Sequence, residues 1–86
     1  MHMPRFHFHI QENGLFISDD EGQEFADSES VRKEAVATGV SIARDAFTSG
    51  SARRVVVDVR QEDRPFLKVS ISLDVEEEAS HRKLWK

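Results

Sequence analysis

Apolar and polar residues alternate at the start of this chain, Phe6, Phe8 and Ile10 being separated by His7 and His9. That period of two predicts a half-buried strand. Gln11-Glu12-Asn13-Gly14 predicts a turn, in which Asn13-Gly14 is a strong hairpin signal because a tight hairpin needs positive φ at both central positions. Leu15-Phe16-Ile17 then reads as a second strand, Ser18 to Gly22 punctuates it, and Gln23-Glu24-Phe25 leads towards a helix. Further on, Arg54 to Arg60 predicts a third strand, with Val55, Val57 and Val59 on one face and Arg54, Val56, Asp58 and Arg60 on the other. Gln61 to Pro65 is expected to be a polar turn, after which Leu67, Val69, Ile71 and Leu73 alternate with Lys68, Ser70 and Ser72 in a fourth strand.

Between the two hairpins the period changes to that of a helix, from Asp27 to Gly50. At about 100° per residue, Val31, Ala35, Gly39, Ile42 and Ala46 form one apolar stripe, and Val36, Val40, Ala43 and Phe47 form a second beside it. Lys33, Glu34, Ser41, Arg44, Asp45 and Thr48 occupy the solvated arc. Asp27 or Ser28 suits the N-cap, Glu29 the first turn, and Gly50 a left-handed stop. Gly39 in the helix interior costs about 1 kcal/mol relative to alanine, which predicts a close approach of another backbone there.

The order strand, strand, helix, strand, strand predicts an α+β fold: a two-layer β-β-α-β-β sandwich, with one long helix on one face of a four-stranded, mainly antiparallel sheet. The other face would carry His7, His9, Arg54, Asp58, Arg60, Lys68, Ser70 and Ser72 and stay wet. Residues 3–75 make one domain. Met1-His2 reads as a cloning remnant ahead of a start at Met3, and residues 76–86 as a charged tail in which Trp85 is a candidate docking handle. Two adjacent apolar stripes approach a half-cylinder, wider than the face a flat sheet covers. Either a twisted sheet wraps the helix, or Val36, Val40 and Phe47 pack against a second copy of the chain. The second possibility makes these three residues the expected interface of a homodimer.

Composition narrows the function. Eighty-six residues hold one core, and the net charge of -4 argues against nucleic acid as partner, since phosphate neutralisation needs clustered Lys and Arg. Cysteine is absent, which excludes disulfides and thiolate catalysis. No apolar run reaches the roughly 18 residues of a membrane span, and no secretory signal is evident. A cytoplasmic protein without membrane association is expected.

Candidate chemistry is sparse. His7 and His9, two apart on one strand face, are weak candidates for a shared metal, with Asp58 or Glu12 as third ligand; the polar sheet face accounts for both without one, so no metal and no cofactor are expected. Asp19-Asp20-Glu21-Gly22 superficially resembles a calcium loop but lacks the alternating ligands and the distal glutamate. Arg53, Arg54, Arg60 and Arg64 are interleaved with Asp58, Glu62 and Asp63, which predicts cross-strand pairing rather than a phosphate track. No arrangement places nucleophile, base and oxyanion donor together, so the chain is not expected to be an enzyme.

The start Met3-Pro4-Arg5-Phe6, the aromatic pair with His9 in the first strand, the Asp20-Glu21-Gly22 turn and the alanine-rich helix that begins at Asp27 resemble a family of short bacterial proteins. That family is found largely in alphaproteobacteria and is catalogued as a domain of unknown function. The likeness covers about Met3 to Leu73, and the chain departs from it at His7, where an aromatic residue is expected. It implies a small cytoplasmic bacterial protein and brings no catalytic residues. In element order the chain is also similar to antitoxin domains of the HicB type, whose DNA-binding segment has no counterpart here; that is an analogy of fold. The expected function is thus a non-enzymatic protein-interaction or regulatory module, acting as a homodimer and on a protein partner the sequence does not identify. An antitoxin-like partner of another small protein, or a small ligand-binding protein or enzyme, is the alternative.

Overall fold

A computed structural model describes residues 3–78; Met1-His2 and Trp85 with its neighbours lie outside the described residues. Strand β1 (Arg5–Glu12) turns at Asn13-Gly14 into β2 (Leu15–Ile17), a loop leads to β3 (Gln23–Glu24), and helix α1 (Ser28–Ser49) follows. The chain then returns through β4 (Arg54–Gln61) and β5 (Arg64–Ser72). The fold is α+β as expected, one helix on an antiparallel sheet. It has one more strand than expected, because the polar pair Gln23-Glu24 carries no alternation that would mark it as β3.

The strands lie in the order β2-β1-β4-β5, and β3 pairs with β1 beyond the end of β2. The two longest-range neighbours, β1 and β4, therefore form the centre. Their alternation explains why: Phe6, Phe8 and Ile10 from β1 and Val55, Val57 and Val59 from β4 are all buried on the same face, the placement that removes most apolar surface from water. Phe6 packs edge-on against Phe66 and Phe25, with ring centroids 4.9 and 6.0 Å away.

Both hairpin turns are two residues long. Asn13 and Gly14 have φ of 48° and 76°, as the tight-turn signal requires. The second turn is shorter than the predicted Gln61–Pro65, because Gln61 and Arg64 still pair and only Glu62 and Asp63 turn, at φ of 51° and 69°. Asp63 tolerates the left-handed region, but nothing announces it for Glu62. A register shift at Val59/Arg60 leaves Phe66 as an extra residue in β5, a bulge that lets its ring join Phe6 in the core.

The helix starts and stops where its end residues dictate. Asp27 accepts the Ser30 amide at 2.8 Å, and Gly50, at φ 81°, returns its amide to Ala46. Val31, Ala35, Gly39, Ala43 and Ala46 are its buried residues. Ala43, grouped above with the second stripe, belongs to the sheet-facing side, where with Ala46, Ala52 and Val55 it forms the smaller of two core clusters. Gly39 marks the closest approach, but to side chains and not to a backbone. A Cβ there would stand 3.0 Å from Ile71 Cδ1 and 3.2 Å from Val57 Cγ2. The helix thus lies over β4 and β5, leaving β2 uncovered.

Candidate functional site

Besides β2, whose Leu15, Phe16 and Ile17 are all exposed, two places on the molecule concentrate chemistry or unpartnered apolar surface. The first is built where the sheet's first edge is interrupted. The ladder of β1 with β2 ends at Ile10–Ile17 and resumes with β3 at Phe6–Gln23, so Ser18 to Gly22 loops out opposite Phe8. Asp19 closes the gap. Its carboxylate accepts the Phe8 amide at 3.0 Å on Oδ2, and the amides of Gly22 and Glu21 at 3.1 and 3.3 Å on Oδ1. A side chain here does the work of the missing ladder partner.

The peptide of Asp19 is held by the two histidines. Its carbonyl, which only accepts, receives a hydrogen bond from His7 Nδ1–H at 2.9 Å, while its amide donates to His9 Nδ1 at 3.0 Å. His7 is consequently protonated at Nδ1, and His9 carries a lone pair there. They lie stacked with centroids 6.3 Å apart. Partial burial by itself raises the Asp19 carboxyl; the amides of Phe8, Gly22 and Glu21, with His7 nearby, outweigh it and hold the group below the usual carboxylate value. The loop also needs Gly22, at φ 74°, where a Cβ would meet the Phe6 carbonyl oxygen at 2.8 Å.

The proposed third metal ligands do not join this cluster. Asp58 stands across from His9 in the β1–β4 ladder, yet it pairs with Arg60 Nε at 3.5 Å on its own strand. Glu12 is separated from the histidines and lines a depression with Ile42, Asp45, Ser49 and Ser51. Among the described residues no group of three His, Asp or Glu side chains is placed to hold a metal ion. Sequence reasoning missed Asp19, treating it as one acid in a turn. The signal available was its position, a single acceptor eleven residues beyond a strand amide, which only the pairing register makes meaningful.

The expected arginine pairings are also redistributed. Arg5 bonds to the Glu21 carbonyl at 2.7 Å and pairs with Glu24 across β1–β3 at 3.3 Å. Arg60 reaches the Asp63 carbonyl at 3.1 Å. On the outer sheet face Val56 is buried, beside a shallow depression lined by Gln11, Arg54 and Lys68, so that face is less wet than its sequence pattern suggests.

The second place is the helix flank above β5. Val36 and Val40 remain 41% and 49% exposed, and Phe47 is half-buried against the smaller core cluster. The sheet does not wrap around to cover them, because β5 is its last strand. Below the valines, β5 pairs only with β4, and Leu67, Val69 and Ile71 on its inner face are half-buried. Apolar helix flank and unpaired strand edge are continuous.

The geometry therefore defines a small α+β domain with an open sheet edge and, beside the looped-out segment, a depression lined by His7, His9, Asp19, Asp20, Arg60 and Asp63. Residues 5–72 match the family described as Domain of unknown function (DUF6894), and the chain belongs to that family. No curated protein and no solved structure matches it. Among the described residues, no helix is long and apolar enough to cross a membrane.

Proposed function

We propose that this protein is a non-enzymatic protein-interaction module that works as a homodimer, with Val36, Val40 and Phe47 in the interface. The observation that carries the reading is the pair of valines exposed on the helix flank directly above an unpaired strand edge. Isolated exposed valines are ordinary. Two of them one turn apart, bordering half-buried Leu67, Val69 and Ile71 and free backbone groups, make a contiguous surface of the kind that protein partners cover.

The non-enzymatic part rests on how the polar cluster is used. Where histidines and carboxylate converge, both Nδ1 atoms and the Asp19 carboxylate are committed to backbone groups, which is the work of a loop clamp.

Val40→Asp tests the reading. Because Val40 is half exposed in the single chain, the substitution should leave the thermal midpoint of the monomer nearly unchanged while converting a dimer to a monomer in sedimentation equilibrium. A wild-type chain that sediments as a monomer at hundred-micromolar concentration would overturn it.

A further inference from the structure

Resting on the homodimer reading, we propose a specific dimer: β5 pairs antiparallel with β5 of a second copy about a two-fold axis through Ile71, joining the two sheets into one. Leu73 donates its amide to the Arg53 carbonyl at 2.9 Å, so residues 73, 71, 69 and 67 direct their backbone groups towards β4. By the alternation of an antiparallel ladder, Lys68, Ser70 and Ser72 direct theirs to the open edge. Beyond Ser72 the chain continues to Glu78 outside any strand, with Val75 56% exposed.

With the axis at Ile71, Val69 meets the partner's Leu73 and Leu67 meets the partner's Val75 on the inner face. On the outer face Ser70 meets the partner's Ser72, and Lys68 meets the partner's Asp74. Symmetry makes each of these pairs twice. Every contact is apolar on apolar, hydroxyl on hydroxyl or cation on anion, the pairings that stabilise neighbouring strands. Moving the axis by one residue keeps part of the match but loses one element of it. Centred on Ser70, Lys68 faces the partner's Ser72; centred on Ser72, Leu67 faces the partner's Glu77 on the apolar side. Among the described residues neither Lys68 nor Asp74 makes an ion pair within its own chain.

The position of the helix bears on the helix–helix contact of such a dimer. Gly39 stands over Ile71, Val57 and Val69, so the midpoint of the helix sits between β4 and β5 at the Val69–Ile71 step, within one residue of the axis. Strands about 4.8 Å apart put the axis half a spacing beyond β5, which brings the two helices to about 10 Å from each other, the separation of packed helices. Val36 and Val40 flank Gly39 on the side facing the partner and meet the partner's Val40 and Val36. The bulge at Phe66, followed towards the N-terminus by Pro65, ends the paired stretch.

Complementary charge variants of the full chain test the register. Asp74→Lys sets Lys68 against the partner's lysine twice, and Lys68→Asp sets Asp74 against the partner's aspartate twice. Each alone should weaken self-association about tenfold, measured by sedimentation equilibrium, with circular dichroism checking the fold. An equimolar mixture should form a heterodimer at wild-type affinity, since both charge pairs are then restored. Asp74 lies beyond the last amide bonded to β4, so its variant folds like the parent. A wild-type dimer whose affinity neither variant changes, or a mixture that stays dissociated, overturns the Ile71 register and leaves the homodimer reading standing. A monomeric wild type overturns both.

Discussion

Along one edge of the sheet β1 is covered by three residues of β2 and two of β3, with a looped-out segment between them. Along the other, β5 runs for nine residues with nothing beyond it. The first edge is short, interrupted and held shut by side chains: the Asp19 carboxylate, the rings of His7 and His9, and the Arg5–Glu24 pair. These are the devices by which proteins discourage further strands from adding to an edge. The second edge carries a single charge, Lys68, between Leu67 and Ser72, and an apolar helix flank stands above it. The proposed interface lies on the smooth side, while on the closed side β2 still exposes Leu15, Phe16 and Ile17.

Breaking the closed edge should have the largest effect. Gly22→Ala places a methyl group against the Phe6 carbonyl at a positive φ, and should lower stability by about 2–4 kcal/mol in urea denaturation. A wild-type midpoint would show that the loop does not hold β3 in place. Asp19→Ala removes the acceptor of three amides; it should cost about 1–2 kcal/mol and speed exchange of the Phe8 amide, the one of the three that lies within a strand.

Asp19 also gives the closed edge a pH dependence. Its carboxyl is lowered in the folded protein, so the stabilisation is fully present above the unfolded-state value. As pH falls below that value the unfolded chain takes up the proton first, and the contribution is lost as pH drops through the folded value. The Asp27 carboxyl, lowered by the Ser30 amide it caps, acts in the same direction. The thermal midpoint should therefore decline in acid, and less steeply in Asp19→Asn. The smallest effect, of opposite sign, belongs to the hairpin that leads into the open edge. Replacing Glu62-Asp63 by Asn-Gly matches their left-handed φ values and should add about 1 kcal/mol while leaving self-association unchanged.

Much of this was legible because local rules and the fold agree. The strand faces of β1, β4 and β5, the Asn13-Gly14 turn and both helix ends follow from period and turn chemistry. Where the reading missed, several residues distant in sequence had to meet. Gln23-Glu24 becomes a strand only because β1 lies beside it, Phe66 enters the core only through a bulge, and Ala43 turns inward because the helix axis sits over β4 and β5. Val36, Val40 and Phe47 were legible as an apolar stripe, but their exposure depends on which strand ends the sheet.

The sequence by itself determined the elements, the buried face of each and the composition that makes one domain, because hydrophobic period, capping and turn conformations act over a few residues. It also carried membership of its family in residues 5–72. The order β2-β1-β4-β5, the conversion of two candidate metal-binding histidines into a clamp on Asp19, and the placing of the apolar helix flank above a bare edge were decided by tertiary structure alone. Each depends on which distant strand pairs with which, and that choice is made by the burial of the whole apolar face at once.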